Sequence, residues 1–406
     1  MLLYQEKKDC CGCEACMAVC PKNAIQMRAD EYGVNYPWID DNKCISCGLC
    51  KRVCAFQKEK ELHPVKKTYA AVSRDRKMLK TSASGGVFAA FAEEVIREGG
   101  AVYGASLERE GEKFLCRHVR VVDAGELKRI QGSKYVQSSS GEAFVKVRED
   151  LEQGRLVFYS GTPCQIAALY AFLGKKYQRL VTAEIICHGV PGLPFFNAYI
   201  KEMERKKKCP IRQFSFRDKR GGWGLFYSCS CQRGGDEKKE TQMLPHYTSS
   251  YYQLFLETEI LRESCYRCEY ASKKRAADLT MGDYWGIGEE HSEVSDYGNI
   301  NIREGVSLLL VNTEKGQQFF DRHSSSLYLL ESSFEKAARH NPQLYEPSRF
   351  SRTRGEVLEA YRQKGYGGVE RYYLRKYRGL LLRGKLKRFL PDSILQYLKK
   401  CRCMLH

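Results

Sequence analysis

The sequence predicts a mixed α/β, or α+β, body that follows a small cysteine-held N-terminal domain and precedes a basic helical tail. Three observations predict this. Two copies of one cysteine spacing fall between Cys10 and Cys54, and strand-like and helix-like runs alternate from Thr68 onward. Residues 361–406 then hold thirteen Lys/Arg against two acids, Glu370 and Asp392. The domain boundaries these observations imply are 1–60, 61–340 and 341–406.

A chain of 406 residues, 43% of them hydrophobic, has material for a real core and more than one domain, which excludes a disordered protein. No run of eighteen apolar residues and no signal-peptide pattern occurs, so the expectation is a soluble, cytoplasmic protein. In a reducing compartment 19 cysteines read as metal binding or redox chemistry rather than as a disulfide framework. The formal charge is +18, and the last 46 residues alone supply +11, so the basic end matters more than the field of the whole molecule.

The N-terminal element comes first. "DCCGCEACMAVCPKNAI", residues 9–25, contains Cys10-x2-Cys13-x2-Cys16-x3-Cys20-Pro21. At that spacing three thiolates wrap one 4Fe–4S cluster, while the fourth, ahead of the proline, turns away to ligate the other cluster of a two-cluster ferredoxin. The second copy this demands is Cys44-x2-Cys47-x2-Cys50-x3-Cys54, with Ala55 where the proline would be. Cys10, Cys13, Cys16 and Cys54 are therefore assigned to one cluster, Cys44, Cys47, Cys50 and Cys20 to the other, and Cys11 is spare. The residues between the copies alternate apolar and polar around Glu31-Tyr32-Gly33, which predicts a hairpin. Paired zinc ribbons, the alternative, space their C-x2-C pairs further apart. Two clusters in one small domain make an electron conduit rather than a catalytic centre.

The body begins after "KEKELHPVKK", residues 58–67, which reads as a charged linker. "AVYGASL" and "FLCRHVRVV" are strand-like; "RLVFYSG" leads into the helical "CQIAALYAFL", and "LVTAEIICHG" into the helical "PFFNAYIKEMERKKK". "PIRQFSFRD" and "LFYSCSCQ" follow as strands, then a helix near 250–262, then "VSLLLVNT" with a helix behind it.

Chemistry-bearing residues gather at the ends of these strands. Ser84-Gly85-Gly86 precedes an amphipathic helix, where free N–H groups suit an anion, or else simply make a tight N-cap turn. Gly132-Ser133-Lys134-Tyr135 is a polar turn with a cation and a ring, suited to a phosphate or a flat ligand. Cys164 opens a helix, whose dipole favours a thiolate: it reads as a nucleophile, a metal ligand or a buried cysteine. Cys187 ends the next strand and Cys265-x2-Cys268 follows later, completing a four-thiolate set suited to a third 4Fe–4S cluster or to zinc. His188 adjoins that set as a cofactor neighbour or a structural histidine.

"SGG" before a helix, "GSKY", "GTPCQ", "CHGVP", "FRDKRGGW", "CYRCEY" and "ADLTMGDYWG" together resemble the beta subunit of coenzyme F-420 hydrogenase/dehydrogenase, a family that includes flavin-dependent reductases of hydroxymethyl-chlorophyll. The resemblance runs from about Thr68 to about Gly316, and an N-terminal two-cluster ferredoxin is a common fusion in the family. It implies an iron–sulfur flavoprotein oxidoreductase with a flavin, FAD or another, in the body. It also implies a cluster on Cys164, Cys187, Cys265 and Cys268. The positions it carries to the flavin are Ser84, Gly85, Gly86, Gly132, Ser133, Lys134, Tyr135, Thr162 and Gln165; Lys219 and Trp223 go to the substrate side. No G-x-G-x-x-G follows a strand, so the flavin rests on resemblance alone.

The function expected is electron transfer through clusters to a flavin, and from it as hydride to or from an organic acceptor. Lys134 and Lys219 would stabilise reduced flavin or an anionic substrate, or else be solvated surface lysines, and His188 is a third candidate for the catalytic site. The alternative is a non-catalytic subunit that passes electrons between a carrier and a partner enzyme. The tail interleaves Tyr, Leu and Phe with Arg and Lys, which reads as a membrane-surface helix or as a helix packed on the body; no nucleic-acid recognition module is present. A membrane-bound tail would suit a glycan-linked substrate and a role beside cell-surface polysaccharide assembly, where some bacterial relatives occur. Cys401 and Cys403 read as incidental.

Overall fold

Short apolar runs bounded by glycine, proline and polar residues become the strands of a computed structural model that describes residues 3–232, 240–296 and 298–389. In the N-terminal domain β1 (Ile25–Ala29) and β2 (Asn35–Ile39) pair antiparallel from Ile25↔Ile39 to Ala29↔Asn35, the expected hairpin. Asp30 closes its turn, with Oδ1 accepting from the Tyr32 N–H at 3.0 Å and the Val34 N–H at 2.9 Å. The apolar core here is slight: Leu3, Ile25, Ile39 and Cys50, edged by Cys16, Cys20 and Cys44. Ala15 and Val53 of the same domain pack instead into the core of the body, with Cys13 and Cys16 against them.

The body is built on eight strands: β4 (Lys67–Ser73), β5 (Ala101–Glu110), β6 (Lys113–Val121), β7 (Val157–Gly161), β8 (Leu180–Ile185), β13 (Leu279–Asp283), β14 (Ser307–Val311) and β15 (Leu327–Ser332). Their order is β15-β4-β14-β13-β8-β7-β5-β6. The central four, β5, β7, β8 and β13, run parallel, and antiparallel strands flank them on both sides. Helices cover both faces. Val87–Arg97 and Glu314–His323 pack Phe91, Val95, Phe319 and Phe320 on one; Gly141–Glu152 and Pro163–Leu173 pack Phe144, Val147, Ile166 and Leu169 on the other. Burial on both faces is why the parallel strands read as continuous apolar runs rather than alternating ones.

A second sheet, β9 (Ile211–Ser215), β10 (Phe226–Cys231) and β11 (Glu240–Pro245), is antiparallel. It shares an aromatic core with the helices Leu193–Lys207, Ser250–Leu256 and Arg354–Lys376, centred on Phe196, Phe216, Tyr251 and Tyr366. The helix expected near 250–262 ends at Leu256, because Thr258 takes φ +56 and turns the chain away toward Arg262 and Cys265. The first part of the basic tail buries Val357, Tyr366, Val369 and Tyr372 in this core, so it packs as a helix of the body. The next helix, Arg378–Phe389, leaves Leu382 and Leu386 exposed. Cys401 and Cys403 lie outside the described residues, and no helix among those described is long and apolar enough to cross a membrane.

The charged segment that reads as a linker is held at its middle. His63–Pro64 (β3) pairs antiparallel with Lys274–Arg275 (β12), beside the Cys265–Cys268 loop.

Candidate functional site

The cysteines of the N-terminal domain separate into two groups, each drawing on both copies of the motif. Cys44, Cys47 and Cys50 line one shallow pocket together with Cys20, beside Ile25, Ile39 and Ile45. Cys47 is exposed there, so this outer group faces solvent. The inner group is Cys10, Cys13, Cys16 and Cys54. Burial pushes the Cys16 thiol far up, and the neighbours that push it further are Cys13, Cys10 and Cys54. Each four-residue helix that carries a motif starts from a left-handed residue, Glu14 at φ +68 and Gly48 at φ +73, which turns the loop back over its own thiols.

The third group lies at the C-terminal edge of the parallel strands, where α/β folds place their ligands. β7 ends at Gly161, and Cys164 follows in the first turn of Pro163–Leu173; Cys187 lies two residues beyond β8; Cys265 and Cys268 come from the turn Glu263–Arg267 and its end. Burial raises Cys187 well above the usual thiol range, and Cys265, Cys164 and Cys268 are the charges that add to it. Burial likewise pushes Cys265 up to about 11 and Cys268 to about 12. A buried ion pair fixes this loop. Arg275 Nε donates to Glu184 Oε1, the Ala276 N–H donates to Glu184 Oε2 at 3.0 Å, and Arg275 Nη1 donates to the Ser272 carbonyl at 2.8 Å.

Cys11, unassigned by the spacing, is buried within hydrogen-bonding reach of both Cys13 and Cys164. That contact is the main cause holding the Cys164 thiol down at about 7. The inner and third groups are thus adjacent, with a single thiol between them. Among the described residues no three His, Cys, Asp or Glu side chains close in on a point where a single metal ion would sit. Each of the three groups offers four sulfur donors, the donor set of a 4Fe–4S cage, and that chemistry fits.

Glu14 joins the two domains. The helix Gly141–Glu152 begins after Ser140, whose own side chain makes no cap. Glu14 caps it from the other domain: Oε2 accepts from Ser139 Oγ, from the Ser140 N–H at 2.9 Å and from the Gly141 N–H at 3.0 Å. Gln137 Nε2 donates to the carbonyls of Cys11 at 3.0 Å and Gly12 at 2.9 Å. Gly12 sits at φ +65, which favours glycine, and a Cβ there would lie 2.6 Å from both Gln137 Nε2 and Arg262 Nη1, so a larger residue would displace the side chains that join the two domains.

A second polar basin lies between the two sheets. Arg217 is buried, donating from Nη1 to Asp283 Oδ2 at 2.6 Å and from Nη2 to the Ala83 carbonyl at 3.1 Å, while its Nε is buried without a partner. Trp223 Nε1 donates to Asp283 Oδ1 at 2.8 Å, and the Trp223 and Trp285 rings lie parallel, 4.8 Å apart and 6° from coplanar. Lys219 Nζ donates to the carbonyls of Leu79 at 2.7 Å and Ser84 at 2.9 Å, and burial lowers its pKa to about 8. Tyr135 reaches the basin through its hydroxyl, 3.4 Å from Arg217 Nη1, and its ring stacks on Phe255. A planar anionic group fits such a surface: parallel rings, a buried guanidinium with a spare donor, and a desolvated lysine.

The positions read from the sequence divide among these places. Ser84, Tyr135, Lys219 and Trp223 meet at the basin. Gly85 and Gly86 are close by but serve packing: a Cβ on Gly85 would lie 2.2 Å from the Ala71 carbonyl oxygen and 2.6 Å from Ser307 N, and Gly86 is a left-handed N-cap at φ +85. Gly132 is an open left-handed turn residue beside Ser133, and Lys134 Nζ donates to the Gln131 carbonyl at 2.8 Å, its pKa lowered to about 8 by burial. Thr162 and Gln165 form the capping box of the helix that carries Cys164, with Thr162 Oγ1 3.2 Å from Cys164 Sγ, so they serve the third thiol group. His188 has both ring nitrogens engaged, with the Leu256 carbonyl at 3.3 Å and Gln343 Nε2 at 3.1 Å. Arg217, Asp283 and Trp285 were missed as site residues, although the quoted runs "FRDKRGGW" and "MGDYWG" contain them.

Comparison with known proteins bears on both halves of the chain. Residues 9–58 match the family model of the 4Fe-4S dicluster domain, and residues 154–337 match that of the C terminus of the coenzyme F420 hydrogenase/dehydrogenase beta subunit. No curated protein matches the chain. Among solved structures, the F420-reducing [NiFe] hydrogenase complex from Methanosarcina barkeri, in a xenon-derivatized form, is similar at 13% identity. The alignment covers 75% of this chain and 95% of that one, with a TM-score of 0.44.

Proposed function

We propose that this chain, a 4Fe-4S dicluster domain ahead of a segment of the coenzyme F420 hydrogenase/dehydrogenase beta-subunit family, is an iron–sulfur flavoprotein oxidoreductase acting on an organic hydride acceptor or donor. The observation that carries this reading is the succession of thiol groups: an outer one with Cys47 exposed, an inner one half-buried, then the third, with the buried Cys11 beside a member of each of the last two. When bound, clusters on these thiols and a flavin supply one-electron relay and conversion to a two-electron step. Cys20, Cys44, Cys47 and Cys50 present the outer group to a partner. Cys10, Cys13, Cys16 and Cys54 hold the inner one against the body, and Cys164, Cys187, Cys265 and Cys268 hold a third cluster at the body.

The basin residues have the complementary task. Trp223 and Trp285 provide a flat apolar wall, Arg217 keeps a buried Nε with no protein partner, and Lys219 provides a second positive charge out of bulk water. These features support a bound flavin, FAD or another, and favour an enzyme over a subunit that only passes electrons. The basic C-terminal end supports an acidic or glycan-linked substrate near a membrane surface.

Anaerobic purification with iron, sulfide and flavin quantified tests the reading. The expected protein carries about twelve irons and releases a flavin. Arg217→Leu with Trp285→Leu should lose the flavin and keep the iron. Full iron with no flavin in the parent would overturn the enzyme reading in favour of the electron-transfer subunit.

A further inference from the structure

Arg262 has no ordinary reason to be where it is. It is 0% exposed, and among the described residues no carboxylate forms an ion pair with it. Its Nε donates to the Cys10 carbonyl at 2.7 Å, and its Nη1 to the Asn35 carbonyl at 2.8 Å and Gln137 Oε1 at 2.9 Å. Nη2 points at Cys10 Sγ, 3.6 Å away, and the guanidinium carbon stands 4.3 Å from the centre of the Tyr36 ring. The sulfurs of Cys11 and Cys265 also lie within its field. A guanidinium stays charged in any protein environment, and burying one against carbonyls alone is costly. Neutral thiols do not answer that charge, whereas thiolate-ligated iron–sulfur cages carry net negative charge and do.

We propose that Arg262 is the shared counter-charge of the inner and third thiol groups, raising the reduction potential of the inner cluster above that of the outer one and so giving the relay an inward slope. The proposal rests on the iron–sulfur reading above. Reduction adds an electron to a cage that is already negative, and a buried cation with an N–H aimed at a ligand sulfur stabilises the added charge. The outer group has no such partner among the described residues: Cys20 Sγ accepts only from the Ala24 N–H at 3.3 Å, and Lys22 beside it is exposed, where water and salt screen its charge. Arg262 belongs to the body and Cys10 to the N-terminal domain, so one side chain sets both the docking register and the direction. It is a positioning residue, acting on electron transfer through the sulfur it touches.

The test is an EPR-monitored redox titration of the full-length, anaerobically reconstituted protein, with iron and sulfide counted for each variant. The inner signal is identified as the one lost in Cys54→Ser. Arg262→Gln is expected to move the inner midpoint to more negative potential and leave the outer unchanged, with Arg262→Lys intermediate. Gln137→Glu keeps the guanidinium but sets a carboxylate against it, so it should move the inner midpoint the same way; it decides the matter if Arg262→Gln does not fold. An iron-replete variant whose inner midpoint equals the parent's, or one in which both midpoints move equally, overturns the proposal. A parent with no iron at the inner group would overturn the iron–sulfur reading itself, and the proposal with it.

Discussion

Replacing Glu14 by alanine tests whether the two domains form one rigid conductor. The carboxylate is 8% exposed and satisfies the Ser139 hydroxyl and the N–H groups of Ser140 and Gly141, at the positive end of the helix Gly141–Glu152. A hydrogen bond to a charged acceptor contributes about 1.5–3 kcal/mol, and a lost cap costs about 1 kcal/mol. These overlap, so a total of about 3 kcal/mol is expected, or about a hundredfold in the equilibrium for opening the junction. Glu14 also sits at φ +68, which alanine does not relieve; glycine does, so Glu14→Gly should recover about 1 kcal/mol of the loss. Amide hydrogen exchange at Ser140 and Gly141, measured on the cluster-loaded protein, reads the opening directly. Unchanged protection of those two amides in Glu14→Ala would refute the reasoning, because it would mean that the contact holds nothing closed.

Three further outcomes are expected. Cys54→Ser should lose about four irons, together with the signal of the Cys10, Cys13 and Cys16 group, and Cys20→Ser the same number from the other group; EPR would show the opposite pattern if each motif bound its own fourth cysteine. Gly85→Ala should destabilise the body by about 3 kcal/mol in thermal or denaturant unfolding, since its new methyl group would press on the Ala71 carbonyl oxygen at 2.2 Å between β4 and β14. Lys219 should give a pH signature. Burial lowers its pKa to about 8, so the folded state binds fewer protons than the unfolded state between about pH 8 and the ordinary lysine value, and its burden on stability is full below pH 8. Parent stability relative to Lys219→Met should therefore rise as pH passes upward through 8, checked by denaturant unfolding at pH 7 and pH 9.5.

The parts legible in the sequence are those fixed by local spacing. The cysteine motifs place three thiols within one loop, and the structure sets Cys20 beside the second copy and Cys54 beside the first. The parallel strands announce themselves as apolar runs, and Cys164 and Cys187 were readable at their ends. Contacts across long stretches of chain were not. Glu14 meets Gly141 127 residues away and Arg262 meets Cys10 252 residues away, and no periodicity signals either. Arg217, Asp283 and Trp285 stood inside conspicuous runs, but only the fold turns them toward one another. The charged run at 58–67 read as a linker because composition cannot report that His63–Pro64 pairs with residues more than 200 positions later.

That small ladder has a further result. The dicluster unit is anchored at its front by Glu14 and at its rear by the β3–β12 strap, so it cannot commute between donor and acceptor as a tethered shuttle would. On the proposed electron-transfer role a carrier would have to come to it, and among the described residues it would land on the solvent side of the outer thiol group, where Cys47 and Ile45 are bare.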